Sequence, residues 1–197
     1  MRDRGTVLEY RRRDAAEGAR TLPANYELEQ QFLGALLIRN DILPAVSGYL
    51  KPEHFSEEIH RRIYLIASSL IAEGCVASPV TLKTLLGDHD VGGGTTVPQY
   101  LARLAIEAAA PASAHDYARA IRDLAARREI IESAQAAIEQ ARDVPVDVKP
   151  SEIAADAIAA LQTIAETASD TQARLEPADA ANAVLTHAKA ILSGEVR

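Results

Sequence analysis

LPANYELEQQFLGALLIRN, the stretch from Leu22 to Asn40, predicts the helix around which the rest of the chain folds. Asn25 can cap the first turn of this helix. The carboxylates of Glu27 and Glu29 fall in the same turn, where the helix dipole favours negative charge. Apolar side chains then recur on one broad face of the helix, at Leu28, Phe32, Leu33, Leu36 and Leu37. By itself the stretch predicts a core helix and no function.

Gly34 lies in the middle of this predicted helix, where a glycine costs about 1 kcal/mol relative to alanine. The simplest compensation is a second helix that packs so close to Gly34 that no side chain would fit between them. We therefore predict a close helix crossing at this position.

The composition of the chain favours helices over sheets. Hydrophobic residues make up 48% of the 197 residues, whereas aromatic residues make up only 4% and tryptophan is absent. Strands are enriched in aromatic and β-branched residues. The length fits one ordinary domain with an appendage, or two small domains. The net charge of −7 argues against a body that binds nucleic acid by electrostatics alone.

Cys75 is the only cysteine, which excludes an intrachain disulfide and fits a reducing, cytosolic setting. Its position just after a predicted helix end suggests a small, partly buried side chain. The N-terminus lacks the apolar core of a signal peptide, and no apolar run approaches the ~20 residues that cross a bilayer. We expect a cytoplasmic protein with no membrane partner.

Residues 1–21 form a separate basic region, which we call the arm. It carries six arginines against four acidic residues and has no sustained hydrophobic periodicity. We interpret it as a flexible arm. The sharper hypothesis is that the arm contacts DNA or a neighbouring subunit.

Residues 22–112 are predicted to form a globular helical head. After the first helix, Asp41 can cap a short helix that tolerates Pro44 in its first turn, and Phe55 is predicted to fill the core. Ser56 is predicted to cap a helix that runs to Glu73. The inward positions of these segments are Leu43, Val46, Leu50, Ile59, Ile63, Ile66, Leu70 and Ile71.

Two further helices complete the predicted head. Ser78–Pro79 opens the first of them, and Thr96 caps the second, which is predicted to stop at Ala110–Pro111. Gly74 is expected to end the preceding helix, and Gly87 to Thr95 is expected to be a loose loop. The inward positions are Leu82, Leu85, Leu86, Tyr100, Leu101, Leu104 and Ile106.

The pattern changes after residue 113, where side chains recur with the alternating spacing 4-3-4-3 of a packed helix pair. The residues at this spacing are Tyr117, Ile121, Leu124, Arg128, Ile131, Gln135 and Ile138. A helix of about 30 residues is about 45 Å long, so we expect it to project from the head. Asp143 to Pro145 is predicted to break it.

A second helix is predicted to begin at Pro150–Ser151. Its apolar positions are Ile153, Ile158, Leu161 and Ile164. The two helices form a predicted antiparallel hairpin, residues 113–168. Because two helices alone leave one apolar side uncovered, we expect a second copy of the hairpin to cover it. The apolar residues named on both helices are therefore candidates for a dimer interface.

Residues 169–197 are predicted to contain a polar linker and a short last helix that Pro177 opens and Gly194 closes. Its apolar positions include Val184, Leu185, Ile191 and Leu192.

No catalytic, cofactor-binding or metal-binding residue is predicted. The sequence contains no Gly-Lys dipeptide, so it lacks the lysine of a phosphate-binding loop, and Gly92–Thr96 reads as an ordinary loop. The histidines show no metal-ligand spacing. We interpret His54 and His60 as helix-entry and surface residues, and Arg119, Arg127 and Arg128 as part of a solvated face.

The run Pro-x-Asn-x-Glu-x-Glu-Gln-x-x-Leu-Gly-x-Leu-Leu, from Pro23 to Leu37, resembles the opening signature of the N-terminal domain of DnaB-type replicative hexameric DNA helicases. Leu28 stands where many members have alanine. The residues that carry the signature are Pro23, Asn25, Glu27, Glu29, Gln30, Leu33, Gly34, Leu36 and Leu37. Further segments resemble the family in order and spacing, so the likeness covers roughly Leu22 to Asp143. These segments are Leu50 to Gly74, Pro79 to Leu82, Val91 to Gly93, Tyr100–Leu101 and Ala118 to Arg128.

The resemblance implies an all-α protein: a compact bundle of about six helices, a protruding antiparallel hairpin and a short linker helix. It implies a collar that assembles dimers into a hexameric ring, as a trimer of dimers, and docks primase during DNA replication. Val184, Leu185, Ile191 and Leu192 would dock on the motor domain of the adjacent subunit.

In the resembled family, that motor domain binds ATP and Mg²⁺ and carries the ATP-dependent helicase activity. The motor domain is absent from this sequence. DNA would be contacted only indirectly. The alternative hypothesis is a small dimeric DNA-binding regulator that uses the arginine-rich arm, for which DNA binding should depend strongly on salt.

Overall fold

The structure of the protein is a computed structural model that describes residues 22–108, 113–143 and 148–168. Several predictions from the sequence concern residues outside these ranges. They are the arm, the break after Asp143 and the linker helix with Val184, Leu185, Ile191 and Leu192. The predicted helix stop at Ala110–Pro111 is wrong, because the helix that begins at Val97 already ends at Ile106, with Glu107 as its C-cap.

The described ranges form seven α-helices and two short 3-10 helices, and their one β pairing is an isolated antiparallel bridge between Asp90 and Thr96. The α-helices are α1 (Tyr26–Ile38), α2 (Leu43–Val46), α3 (Glu58–Ala72), α4 (Pro79–Leu86), α5 (Val97–Ile106), α6 (Ala114–Asp143) and α7 (residues 150–168). The 3-10 helices are Asn40–Ile42 and Pro52–His54. The all-α prediction is confirmed.

Helix α1 is the centre of the fold. The side chain of Asn25 accepts a hydrogen bond from the backbone N–H of Leu28 at 3.0 Å, as the predicted cap requires. The apolar face of α1 is fully buried at Phe32, Leu33 and Leu36. This helix contacts α3, α5 and α6, so the stretch that the sequence identified does organise the core.

Three aromatic rings fill the centre of the core. The ring centroids of Phe32, Phe55 and Tyr64 lie 5.1–6.1 Å apart in tilted arrangements, a favourable geometry for aromatic pairs. The hydroxyl of Tyr64 donates to the carbonyl of Leu50 at 3.0 Å, so its buried polar atom has a partner. The predicted core position of Phe55 is confirmed.

The close crossing at Gly34 is also confirmed. A Cβ atom at this position would overlap the backbone carbonyl oxygen of Leu104 in α5 and lie 2.9 Å from the Cβ of Ala108. Side chains at the contact usually hold packed helices 8–10 Å apart. Glycine removes the side chain and lets the backbones of α1 and α5 touch.

The predicted helix ends are largely confirmed. The Ser78 side chain accepts from the N–H of Thr81 at 3.3 Å, with Pro79 at the first helical position. Gly74 has φ +76°, the left-handed conformation that glycine adopts after a helix. The Asn40 side chain donates to the carbonyls of Leu36 and Ala77, both at 2.8 Å, and so ties the end of α1 to the segment before α4.

Some predicted positions are wrong. Ser56 does not cap α3, which begins at Glu58 after Glu57. Leu85 is 55% exposed because Leu82 and Leu86, one turn apart, already form the buried face of the short α4. Ile106 is 83% exposed at the last residue of α5. Cys75 is exposed, because it follows Gly74 beyond the end of α3.

The predicted long helix is confirmed as α6, whose 30 residues span about 45 Å. Its first half packs on the head and buries Ala114, Ala118 and Ile121 in the same core as α1, and Ala125 is buried as well. Beyond Arg128 no described residue of α6 is fully buried. The helix therefore combines a half that belongs to the head with a half that is mostly exposed. No helix in the described ranges is both long and apolar enough to cross a membrane.

Replacing Gly34 by alanine should destabilise the head. Overpacking usually costs about 1–3 kcal/mol, and here the obstacle is a backbone carbonyl that cannot rotate away. Alanine would recover about 1 kcal/mol of helix propensity, so an overpacking cost at the upper end of that range leaves an expected net loss of about 2 kcal/mol by urea unfolding. Gly48→Ala is the matched control, because its Cβ would meet no atom within 4 Å. Equal stability of Gly34→Ala and the parent would contradict the crossing.

Candidate functional site

A chain of buried hydrogen bonds joins α1, α3 and α5 at one end of the head. Glu29 is buried, and one of its carboxylate oxygens accepts from the backbone N–H and the hydroxyl of Ser56, at 2.8 and 2.7 Å. Its other oxygen lies 2.6 Å from Nδ1 of His60, which is also buried. The Nε2 atom of His60 lies 2.5 Å from the hydroxyl of Tyr100, which accepts from the side-chain amide of Gln30 at 3.0 Å.

The direction of these hydrogen bonds follows from the groups themselves. Gln30 donates to Tyr100, whose hydroxyl has one proton to donate onward to His60. An imidazole with its proton on Nδ1 accepts from Tyr100 and donates to Glu29. Each member then has a hydrogen-bond partner, as buried polar networks require. The network holds three helices together.

The hydrogen bonds also change the acid–base properties of the members. Burial alone would raise the pKa of Glu29, but hydrogen bonds from His60 and Ser56 lower that pKa below its ordinary value of 4.5. Burial raises the pKa of Tyr100, against the opposing effect of the Gln30 hydrogen bond. Glu29 is therefore ionised at neutral pH, and Tyr100 retains its proton.

The sequence interpretation of this cluster was wrong. His60 lies in the core rather than on the surface, and Glu29 is buried rather than placed only to complement a helix dipole. A signal for both was present. Glu29 precedes Phe32 and Leu33 by three and four residues, and His60 precedes Ile63 and Tyr64 by the same spacing. Residues at this spacing lie on one face of a helix. Glu29 and His60 therefore lie on the apolar faces of their helices.

A second buried cluster joins α6 to the segments before α1 and α3. The guanidinium group of Arg128, which is 8% exposed, donates to the carbonyls of Pro23 and His54 at 2.8 and 2.6 Å. The side chain of His54 is buried as well and accepts from the backbone N–H of Lys51 at 3.0 Å. Burial and the nearby charges of Arg122 and Arg128 lower the pKa of His54 to about 4, so it is neutral.

These positions correct two more interpretations. Arg128 is not part of a solvated face, because it is buried and donates to the carbonyls of Pro23 and His54. His54 is a buried residue of a 3-10 helix rather than a surface residue. Arg127 is exposed as expected. Arg122 is buried, with one guanidinium nitrogen 3.6 Å from a carboxylate oxygen of Glu129.

Large apolar side chains are exposed on the second half of α6 and on α7. Ile138 is 51% exposed and Ile158 is 56% exposed, and Ile130 and Leu161 are similar. Ile131, Ile153 and Ile164 are half-buried. These residues include most of the predicted hairpin interface.

The predicted interface residues in the first half of α6 have a different environment. Ile121 is fully buried in the core of the head, so its prediction as an interface residue is wrong: α1 already covers that face of α6. Tyr117 packs partly against the same core, and Leu124 is half-buried.

The glycine loop has the geometry of a turn. Gly92, Gly93 and Gly94 all have positive φ, and the N–H of Gly92 donates to the side chain of Asp90 at 2.8 Å. In the part of the chain that the structure describes, no group of three or more histidine, cysteine or acidic side chains could hold a metal ion.

Comparison with known families assigns the chain. Residues 21–123, slightly more than half of the chain, match the model of the DnaB-like helicase N-terminal domain. The chain belongs to this family. The resemblance that the signature in α1 indicated is therefore confirmed.

Replicative DnaB helicases are similar in sequence over the same region. The proteins of Rickettsia felis and Rickettsia conorii are 32% and 33% identical over 133 residues, which are 68% of this chain and 27% of theirs. The protein of Rhodothermus marinus is 31% identical over 117 residues, 58% of this chain and 12% of its own. The chain thus spans about a quarter or less of the length of the curated relatives it matches.

Solved structures agree with the assignment. The N-terminal domain of DnaB helicase from Mycobacterium tuberculosis superposes with a TM-score of 0.64 at 23% identity, over 73% of this chain and 99% of that chain, and this likeness shows the fold. A DnaB-like replicative helicase whose interactions with primase were studied superposes with a TM-score of 0.54 at 26% identity. That match covers 70% of this chain and 31% of the other.

In this DnaB-type domain the signature residues occupy structural positions. Asn25 caps α1, Gly34 permits the crossing, and the carbonyl of Pro23 accepts from Arg128. Glu29 and Gln30 belong to the buried hydrogen-bond network, Leu33, Leu36 and Leu37 are buried, and Glu27 is exposed.

Glu29→Gln should cost about 1–3 kcal/mol at neutral pH, because an amide NH₂ would face donors that need an acceptor. The Glu29 pKa is lower in the folded state, so its contribution to stability is present above pH 4.5 and is lost as the pH falls through the folded-state pKa. Urea unfolding between pH 3 and 7 should therefore show a smaller loss of stability on acidification in the variant. Glu27→Gln, in the same turn but exposed, is the matched control. If both variants behave alike, the network does not stabilise the head.

Proposed function

We propose that this DnaB-type domain is an assembly collar of a replicative DNA helicase in the cytoplasm. It pairs through the hairpin, builds a hexameric ring as a trimer of dimers, and docks primase beside the helicase. ATP and Mg²⁺ are bound, and DNA strands are separated, by a motor domain to which the linker helix connects. DNA is contacted by the collar only indirectly.

The observation that carries the proposal is the exposed apolar surface on the second half of α6 and on α7. Ile138 and Ile158 are each exposed by about half, and the neighbouring positions are rich in alanine. Burying apolar surface contributes about 25 cal/mol per Å², and small residues allow helices to approach closely. A second copy of the hairpin offers a matching surface, as a two-fold symmetric dimer requires.

Charged residues placed on this surface should dissociate the dimer without unfolding the head. We expect Ile138→Glu combined with Leu161→Glu to halve the mass measured by size-exclusion chromatography with light scattering. Both residues are exposed in the single chain, so the melting of the head should change little. Ile121 is unsuitable for this test, because it belongs to the core.

Gln140→Glu is the control for this experiment. Residue 140 is two residues beyond Ile138 and lies on nearly the opposite side of α6, so the same charge there should leave the mass unchanged. An unchanged mass for the double variant would remove the hairpin from the interface.

Docking of primase is supported by the DnaB-like helicase of known structure that interacts with primase and shares this fold. The full chain mixed with the primase of the same organism should elute as one complex. Isothermal titration calorimetry should measure its affinity, and the Ile138→Glu, Leu161→Glu variant should show whether docking needs the dimer. No heat change and no co-elution at tens of micromolar would contradict this part of the proposal.

The alternative, a DNA-binding regulator, rests on the arm alone, and the arm lies outside the described residues. No described residue favours it. Two results together would support this alternative. The chain would bind DNA with an affinity that falls steeply with salt, and the binding would disappear when the arginines of the arm are replaced.

A further inference from the structure

A cavity of about 290 Å³ opens between the start of α1, the start of α3 and the middle of α6. Its walls include the guanidinium-bearing side chains of Arg61 and Arg128 and the apolar side chains of Leu22 and Tyr26. Glu132 contributes the one carboxylate of the lining. None of the apolar residues proposed for assembly lines this cavity.

The two guanidinium groups are held in place by backbone carbonyls. Arg61 donates from Nε to the carbonyl of Phe55 at 2.7 Å and from a terminal nitrogen to the carbonyl of Ser56 at 3.4 Å. Arg128 donates to two carbonyls as described above and is almost completely buried. A guanidinium has five N–H donors, so each group retains donors beyond those that fix it.

Neither cation has a close carboxylate partner among the contacts that the structure gives for it. The nearest carboxylate oxygen for Arg61 is that of Glu58, at 3.9 Å and mostly exposed. Both guanidinium groups line the same cavity, and guanidinium groups bind oxyanions through paired, charge-assisted hydrogen bonds.

The other wall of the cavity is apolar and open to solvent. Leu22 is 40% exposed and Tyr26 is 54% exposed. An occupant that combines a carboxylate with an apolar side chain would satisfy both walls. A polyanion such as nucleic acid fits less well than a single carboxylate, because the net charge of −7 and Glu132 in the lining repel every additional negative charge.

We propose that this pocket binds an acidic segment of a partner protein, in which an Asp or Glu side chain is next to a large apolar side chain. The carboxylate pairs with Arg61 and Arg128, and the apolar side chain packs on Leu22 and Tyr26. All of these residues belong to one chain, so the proposal goes beyond the assembly function.

The test uses the full chain with isotope-labelled arginine and three probes. These are the peptide acetyl-Phe-Glu-Leu-amide, the same peptide with glutamine in place of glutamate, and inorganic phosphate. We expect the glutamate peptide to shift the Nε–H resonances of Arg61 and Arg128 with a dissociation constant on the order of 1 mM. The glutamine peptide should bind about tenfold more weakly or not at all, because its amide accepts only neutral hydrogen bonds.

Variants locate the binding to the pocket. Arg61→Gln should weaken the glutamate peptide about tenfold, and Arg62→Gln, on the next residue of α3 but outside this lining, should not. Tyr26→Ala alters an exposed ring and should weaken binding without affecting the fold. Glu132→Gln should strengthen binding, because it removes a like charge. Arg128 is left unchanged, since its hydrogen bonds support the head.

Three results would overturn the proposal. The first is equal binding of the glutamate and glutamine peptides. The second is an equal effect of Arg61→Gln and Arg62→Gln. The third is a set of shifts that phosphate reproduces in full and that Tyr26→Ala leaves unchanged, which would identify the pocket as a general anion site rather than a peptide site.

Discussion

The buried carboxylate of Glu29 is the interaction on which the head depends most directly. A buried charge is costly unless donors surround it, and here Ser56 and His60 donate to both carboxylate oxygens. Separation of α3 from α1 would leave that charge without partners. Tyr100 extends the same constraint to α5, and Gly34, little more than one turn further along α1, lets α5 approach to backbone contact. Polar and steric constraints thus fix the same three helices.

The apolar framework of the head could be predicted from the sequence, whereas its buried polar groups could not. Periodicity identified the buried face of α1, the core position of Phe55 and the crossing at Gly34, because each has a direct steric or hydrophobic cause. Glu29, His60 and Arg128 were assigned to the surface or to helix ends. Their burial depends on partners that are 27 to 105 residues away in the sequence, and a local pattern carries no information about such partners.

The spacing along α6 shows a different limit of sequence reasoning. Ile121 and Ile138 belong to one continuous 4-3-4-3 pattern, yet Ile121 is buried in the head and Ile138 is half exposed. The pattern specifies that one side of the helix is apolar. It does not specify whether the cover for that side comes from the same chain or from another. Only the fold shows where the burial of that side ends, which is at Arg128.

Arg128 lies where the buried half of α6 ends and the exposed half begins, so its contacts with the head affect the direction of the exposed half. From Arg128 to Asp143 the helix extends about 22 Å, so a tilt of about 10° at Arg128 would move the far end by about 4 Å. The direction of α6 at this point is set by hydrogen bonds to the carbonyls of Pro23 and His54. Under the proposed assembly, loss of the Arg128 guanidinium group would remove both hydrogen bonds and could change the direction of the exposed half of α6 without altering the apolar residues of the hairpin. The signature residue Pro23 and the second half of α6 are thus joined through one buried guanidinium group.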